Sequence, residues 1–159
     1  MSAGAPRPAG GCAAFAAAAD HACACWPLES CGVVVRSAGG ACRYLPVRNV
    51  AADPARRFEL DPAEQLAIWR RAAAGEFALV ALVHSHPDGT ADFSAADRAA
   101  ATTAAGRPLH PGVDHWVLAI HGPAPRLVEA RAFTWSAGRW SRQASVCRPA
   151  CCSETAFPL

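Results

Sequence analysis

The chain has 159 residues, a length that fits one ordinary domain with a buried core, and we expect no second catalytic domain. It is 52% hydrophobic and 18% charged, as globular proteins are, and every basic residue is an arginine. The net charge of +2 is small and scattered along the chain, which argues against a nucleic-acid partner because such partners need clustered basic residues.

The cellular compartment expected for the protein determines how its cysteines are interpreted. No stretch is apolar over the roughly 20 residues that cross a bilayer, and no apolar run precedes Cys12 as in a signal peptide, so we expect a cytoplasmic protein without a membrane partner. Eight cysteines would then lie in a reducing compartment, where disulfides are uncommon. None has the Cys-x2-Cys spacing of a structural zinc site, and most are expected to pack as small apolar residues. Cys147, Cys151 and Cys152 could bind a metal or oxidise, but a frayed tail is the simpler interpretation.

Helix and strand patterns alternate along the chain after residues 1–10, a leader of Gly, Pro, Ala and Ser that we expect to be disordered. The clearest boundary is Asp61-Pro62-Ala-Glu64, which combines an N-cap, a proline at the first helical position and a carboxylate at the third. The run Phe77–Val83 is apolar throughout and indicates a buried strand. In chain order, the predicted elements are a helix over 11–25, strands over 32–36 and 42–45, a short strand near Phe58 and Leu60, a helix from Pro62 to about Ala74, a strand over 77–83, a helix from the Ser94 N-cap to about Ala105, and strands over 116–120 and 127–133.

This order of elements predicts a single-domain α/β fold in which helices flank a mixed β-sheet. We place the domain at residues 11–135. Residues 136–159 are rich in Arg, Ser and Cys and are expected to form a loose C-terminal tail. The sequence contains no internal repeat and does not define an oligomeric state.

The most informative segment is His84-Ser-His-Pro-Asp-Gly-Thr-Ala-Asp-Phe-Ser-Ala-Ala-Asp97. Side chains two residues apart in a strand leave the same face, so His84 and His86 point together at the end of the predicted buried strand. Open α/β sheets place their sites at that end. Ser94 and Asp97 predict a capping box that begins the next helix and can bring the carboxylate back toward the histidines. Two imidazoles and one carboxylate are protein ligands of catalytic zinc sites.

A His-x-His pair at a strand end is by itself more often solvated than bound to metal, so the neighbouring residues must decide between classes of site. A metallo-β-lactamase pattern needs an Asp-His pair directly afterwards, but Asp88 is followed by Gly89. A cupin pattern needs a glutamate a few residues on, and none occurs there. An amidohydrolase barrel needs well over roughly 200 residues.

The segment resembles the motif of the JAMM metallopeptidases, also called MPN-plus domains, which is His-x-His-Pro, a spacer and Ser-x-x-Asp. The spacing between His86 and Asp97 is that of the family. Upstream, Pro27-Leu-Glu29-Ser-Cys-Gly32 before a valine run is similar to the glutamate element of the bacterial, stand-alone members. Further matches are His21, Asn49, Phe58-x-x-Asp61-Pro62 and His110-Pro-Gly112. The resemblance covers about residues 13–134 and departs at Phe93, where proline is common.

The resemblance implies the JAMM/MPN fold, a layer fold of the cytidine-deaminase-like kind, and one zinc ion per chain. His84, His86 and Asp97 would bind the zinc, and Glu29 would act as general base toward a zinc-bound water. The Ser94 hydroxyl would stabilise the oxyanion. A plain N-cap is the alternative role for Ser94, and the two roles are compatible.

The remaining polar residues near these motifs receive plainer interpretations. Cys31 has no separate base partner and is interpreted as a packing residue. Ser85 lies on the opposite strand face from the two histidines and is expected to orient the backbone or a ligand's neighbours. The other four histidines are expected to be structural or solvated: His21, His110, His115 and His121.

The resemblance also indicates a substrate class, because stand-alone bacterial relatives trim or detach ubiquitin-like sulfur-carrier proteins after a Gly-Gly end. One alternative is a non-catalytic MPN-type binding module for a ubiquitin-like partner, which the complete set of five motif residues disfavours. A second is a peptidase of cell-wall or phage-tail peptides, for which we find no wall-hydrolase module and no export signal. A third is the DNA-repair-associated branch, which carries Ser-Gly-Asp where this chain has Asp88-Gly-Thr90.

Overall fold

The computed structural model describes residues 12–144 and 146. In that part of the chain, no helix is both long enough and apolar enough to cross a membrane. The helices and strands are α1 (Ala13–Cys25), β1 (Cys31–Arg36), β2 (Cys42–Val47), α2 (Pro62–Ala73), β3 (Ala78–His86), α3 (Ala95–Ala100), β4 (Asp114–His121), β5 (Arg126–Ser136) and β6 (Arg139–Arg142).

The strands form one sheet in the order β2-β1-β3-β4-β5-β6. β3 and β4 are parallel, and every other neighbouring pair is antiparallel. The predicted α/β class, with a mixed sheet flanked by helices, is therefore confirmed. Because parallel neighbours need a crossover, the chain must return from the end of β3 to the start of β4, and that connection contains α3.

Alternating side chains of the central strands contact two helical layers. On one face, Val83 belongs to a cluster that includes Phe15 of α1. On the other face, Leu82 belongs to a cluster that includes Ile68 of α2. The two motif histidines continue the Leu82 face of β3, so the candidate site lies at the carboxyl end of a strand whose body is held between both layers.

Most predicted elements lie where the sequence indicates. Asp61 caps α2 by accepting hydrogen bonds from Ala63 N and Glu64 N, as its position before a proline predicts. The short strand expected near Phe58 and Leu60 is reduced to one antiparallel bridge, between Asn49 and Leu60.

The third helix is shorter than predicted. It ends at Ala100 and not near Ala105, because the chain turns back on itself directly afterwards. Leu109 N donates to Ala101 O, and the turn between them passes through Gly106 at a φ of +70°, which a glycine adopts without strain. The alanine-rich sequence favours a longer helix, because helix propensity depends on local sequence and does not reflect this long-range hydrogen bond.

The cysteines of the described segment pack as expected. Cys12 and Cys31 are buried, Cys23, Cys25 and Cys42 are half-buried, and no disulfide joins these five. The other three lie outside the described residues: Cys147, Cys151 and Cys152.

The prediction that residues 136–159 form a loose tail is wrong for its first part. β6 pairs with β5 through a two-residue turn, Ala137-Gly138. Both turn residues have positive φ values, 49° and 75°, as in a type I′ hairpin. Trp140 of β6 is buried in a cluster with Phe93 and Phe133, and this burial fixes the strand to the sheet. Residue 145 and residues 147–159 lie outside the described part.

Removing the indole of Trp140 tests the structural role of β6. We expect Trp140→Ala to lower the free energy of unfolding by about 3–5 kcal/mol, because a large buried side chain is lost and a cavity remains. Urea unfolding followed by circular dichroism measures this change. Arg139→Ala, at an exposed position of the same strand, is the matched control and should change stability by less than about 0.5 kcal/mol. Equal effects of the two substitutions would contradict the packing described above.

Candidate metal centre

β3 positions the two motif histidines. His84 pairs with Cys31 of β1 on one side and with Val117 of β4 on the other, so its backbone is fixed by two strands. The His84 side chain is fully buried, and that of His86 is about one-tenth exposed. The pair therefore lies at the inner end of the site, where side-chain rearrangement is restricted.

α3 supplies the carboxylate through its capping box. Ser94 N donates to Asp97 Oδ2 at 2.8 Å, and Asp97 N donates to Ser94 Oγ at 3.0 Å. The same Oδ2 atom lies 3.4 Å from His84 Nε2 and 3.4 Å from His86 Nε2. The cap thus determines where the helix begins and also directs a carboxylate oxygen at both imidazoles.

The three facing atoms fit a tetrahedral metal ion. His84 Nε2 and His86 Nε2 are 3.1 Å apart, and each is 3.4 Å from the Asp97 oxygen. Ligands about 2.0–2.1 Å from a tetrahedral zinc ion lie about 3.3 Å from one another, which agrees with these spacings. Among the described residues, this is the group of His, Cys, Asp and Glu side chains that could hold a metal ion.

The far side of each imidazole is fixed differently. His86 Nδ1 lies 3.1 Å from Thr90 O, to which it can donate when Nε2 is the metal-binding nitrogen. Nδ1 of His84 is buried and has no hydrogen-bond partner among the described residues. Its ring is instead stacked on Phe58, with centroids 4.3 Å apart and planes 20° apart. One candidate ligand is therefore oriented by a hydrogen bond and the other by ring packing.

The three candidate ligands shift one another's ionisation. Burial alone would raise the pKa of Asp97, but hydrogen bonds with His84 and His86 hold that pKa well below its usual range. Burial lowers the pKa of His84. Burial acts on His86 in the same direction, yet the hydrogen bond with Asp97 and the negative charges of Asp97 and Glu29 act together against it, and the pKa of His86 is raised. An ionised carboxylate and a neutral His84 are the forms that coordinate a metal ion.

Glu29 reaches the site from the loop before β1. It is only 6% exposed and lines a groove of about 1180 Å³ together with His86, Ser94 and Asp97. Burial is the main cause that raises the pKa of Glu29 to about 7, and the nearby Asp97 charge adds to it. A carboxylate with this pKa can accept and return a proton near neutral pH.

A pair of serines attaches the Glu29 segment to β3. Ser85 Oγ accepts hydrogen bonds from Ser30 N at 2.8 Å and from Ser30 Oγ at 3.0 Å, and both residues are buried. Ser85 was expected to orient the backbone or a neighbour of a ligand, and its contact is with the residue directly after Glu29. The sequence alone does not indicate the parts played by Ser30 and by the carbonyl of Thr90. Nothing in the sequence marks Thr90, because it contributes only a backbone oxygen.

The residues that the sequence predicts to be structural lie outside the candidate ligand cluster. His21 Nδ1 is 2.9 Å from the Tyr44 hydroxyl, and His110 packs edge-on against Trp69. Burial raises the pKa of Cys31 to about 12, and its thiol donates to Val47 O, which suits a packing role.

Phe93, the departure from the family motif, is buried and packs against both His115 and Trp140. Its ring also stacks on Phe133, with centroids 5.0 Å apart. A phenylalanine at this position therefore packs the start of α3 onto the sheet and removes no polar atom from the site.

This fold and this site define an α/β protein with a two-histidine, one-carboxylate centre beside a groove. Over residues 13–136 the chain matches the prokaryotic homologs of the JAB domain, and it belongs to that family. The resemblance to the JAMM proteins seen in the sequence is thereby confirmed.

Two curated relatives match parts of the chain. Tail tip assembly protein K of Escherichia phage N15 is 42% identical over 80 residues, which are 50% of this chain and 30% of that protein. Desampylase of Haloferax volcanii is 38% identical over 74 residues, which are 45% of this chain and 53% of the relative. The chain therefore spans about half or less of the length of the curated relatives that it matches.

Two solved structures support the fold. A solution structure of a Desulfitobacterium hafniense protein is 23% identical with a TM-score of 0.58, and covers 82% of this chain and 85% of its own. A solution structure of a Salinibacter ruber protein is 20% identical with a TM-score of 0.51, and covers 89% and 88%. At these identities the likeness extends to the fold alone.

Substitution of the candidate ligands tests the metal centre. Elemental analysis of the zinc-loaded wild type should find about one zinc per chain, and His84→Ala and Asp97→Ala should each lose it, because two remaining ligands bind zinc weakly. His110→Ala, which removes a half-buried histidine outside the cluster, is the matched control and should retain the metal. Retention of zinc by both ligand variants would place the metal elsewhere.

The pKa of Glu29 predicts a pH-dependent stability effect in chelator-treated, metal-free protein. The folded-state pKa of about 7 exceeds the ordinary value of 4.5, so the folded state binds the proton more tightly. The contribution of Glu29 to stability therefore falls as pH rises from about 4.5 to 7, and its penalty is complete above pH 7.

Glu29→Gln removes this penalty. Above pH 7 the variant should exceed the wild type in free energy of unfolding by about 1–2 kcal/mol, allowing for solvent screening of the carboxylate. Well below pH 4.5 the difference should vanish, because the carboxyl is then protonated in both the folded and the unfolded state, and this provides an internal control. Urea unfolding at a series of pH values measures it, and a difference independent of pH would refute the assignment.

Proposed function

We propose that this protein is a zinc-dependent peptidase or isopeptidase that hydrolyses an amide bond. The observation that carries the proposal is the convergence of one atom each from His84, His86 and Asp97, all within 4.8 Å of one another, beside a groove that Glu29 and Ser94 also line. When bound there, zinc would polarise the scissile carbonyl and lower the pKa of an attacking water.

Glu29 is proposed as the general base and then the general acid. Its pKa near 7 allows the carboxylate to take a proton from the attacking water and the carboxylic acid to give that proton to the leaving amine. The Ser30–Ser85 hydrogen bonds hold the segment in place while the proton is transferred.

Ser94 is proposed to donate to the oxyanion. Its oxygen accepts Asp97 N–H, and its hydroxyl, which is also within hydrogen-bond reach of the Asp97 carboxylate, lies at the groove and would turn its proton to the oxyanion. A hydrogen bond aimed at charge that develops during the reaction stabilises the transition state more than the ground state. Capping of α3 and oxyanion stabilisation thus use different parts of the same hydroxyl group.

The proposed substrate is a ubiquitin-like sulfur-carrier protein, cut after its Gly-Gly end. Six alanines line the groove: Ala51, Ala52, Ala55, Ala96, Ala99 and Ala100. Their small side chains leave room for an extended peptide backbone, and a Gly-Gly pair has no side chains that would need larger pockets. Similarity to a desampylase adds support for this substrate class. We also propose a cytoplasmic location, with which the thiols of Cys12 and Cys31 are compatible.

A second candidate is hydrolysis of cell-wall or phage-tail peptides. Similarity to tail tip assembly protein K, at 42% identity, specifically favours it. A non-catalytic binding module for a ubiquitin-like partner is disfavoured, because all five motif residues are present and line or form one site.

A carrier fusion separates these candidates. Zinc-loaded wild type should cleave a sulfur-carrier protein joined through its Gly-Gly end to a reporter, and Glu29→Gln should slow this about 10²–10⁴-fold while retaining zinc, because proton transfer is lost. Product masses and initial rates are the measurements. Binding of the carrier without cleavage would instead favour the binding module, and cleavage of cell-wall peptides alone would favour the second candidate.

Two substitutions distinguish the roles of Ser94. Ser94→Ala should lower kcat by about 10²-fold and stability by about 1 kcal/mol, because oxyanion donor and cap are both lost. Ser94→Asp restores a capping acceptor but has no proton to donate, so stability should recover while kcat stays low. If the aspartate variant regained activity with stability, Ser94 would be only a helix cap.

A further inference from the structure

The side chain of Asn49 makes four hydrogen bonds beside the groove. Asn49 Nδ2 donates to Glu29 O at 3.0 Å and to Arg57 O at 2.9 Å. Asn49 Oδ1 accepts from Ala51 N and Glu59 N, both at 3.0 Å. An amide flip would place oxygen against both carbonyls, so the surroundings define which end donates.

These bonds lie at the base of a closed loop. Arg48 and Asp61 join the loop ends through the bond from Asp61 N to Arg48 O and through their side-chain ion pair. Residues 51–53 and 55–59 line the groove, and Phe58 of this loop stacks on His84. Asn49 is therefore bonded to the loop that forms one groove wall and to the backbone of Glu29.

The Glu29 backbone is bonded to this loop on both sides. Its carbonyl accepts from Asn49 Nδ2, and its amide donates to Pro54 O at 2.7 Å. Ser30, the next residue, is bonded to Ser85 through its amide, its hydroxyl and its carbonyl. Among these hydrogen bonds, that of Asn49 is the one in which a side chain bonds to the Glu29 backbone itself.

We propose that Asn49 is a positioning residue that fixes Glu29 relative to the groove loop through its Nδ2 donors. The inference rests on the proposed function, since Glu29 is the general base only in that account. Misplacement of a reacting group by about 1 Å can lower a rate about 10²-fold, so loss of this anchor should act on kcat.

Asn49→Asp is the decisive variant, because it keeps nearly the same shape and the acceptors for Ala51 N and Glu59 N. It loses both donors, including the one to Glu29 O. Asn49→Ala loses all four hydrogen bonds. Val50→Asp is the matched control for the added charge, since Val50 is exposed and does not line the groove. This substitution leaves all four hydrogen bonds of the Asn49 side chain in place.

Three measurements are made on the full chain: zinc content, steady-state kinetics (kcat and KM) on the carrier fusion, and amide hydrogen exchange by NMR. For Asn49→Asp we expect one zinc per chain, a kcat lowered about 10- to 100-fold and a KM within about threefold of wild type. The Glu29 amide should exchange faster, while those of Ala51 and Glu59 stay protected. Val50→Asp should match the wild type in all three.

Wild-type kcat or unchanged Glu29 exchange in Asn49→Asp would overturn the inference. Loss of zinc, or faster exchange across the whole domain, would also overturn it and reduce Asn49 to a general structural residue. If wild type itself cleaves no fusion, the proposed function fails instead, and the exchange data alone then decide whether Asn49 anchors Glu29.

Discussion

The capping box at the start of α3 is the interaction on which the candidate centre depends. A carboxylate placed 3.4 Å from two buried imidazole nitrogens needs a fixed backbone, and the Ser94–Asp97 pair supplies it by exchanging two backbone–side-chain hydrogen bonds. Because β3 and β4 are parallel, the crossover between them passes the carboxyl end of β3 and places this helix start there. Local capping chemistry and sheet topology together complete the set of candidate ligands.

The opposite side of the groove depends on β1 and the loop after β2. Ser30 fixes the Glu29 segment to β3 through Ser85, and the Asn49-centred loop places Phe58 on the His84 ring. Glu29 therefore lies in a partly desolvated position where its proton affinity is raised. The placement that makes Glu29 suitable for proton transfer is the one expected to cost stability in metal-free protein.

Much of the fold and the set of candidate residues could be predicted from sequence, because they depend on local patterns. The apolar run before His84 indicates a buried strand, and Ser94-x-x-Asp97 indicates a cap. The early end of α3 and the pairing of β6 could not be predicted, since they follow from a hydrogen bond to Leu109 and from burial of Trp140. The contact of Thr90 O with His86 Nδ1 could not be predicted either, because every residue has a backbone carbonyl.

The central claim is that two imidazoles and one carboxylate bind one zinc ion in a chain that also contains eight cysteines. X-ray absorption at the zinc edge of the loaded full-length protein tests it most directly. The account predicts a four-coordinate shell of nitrogen and oxygen at about 2.0–2.1 Å, with imidazole scattering from two histidines and no sulfur. Sulfur scattering at about 2.3 Å would show that cysteines bind the metal and would contradict the proposed centre.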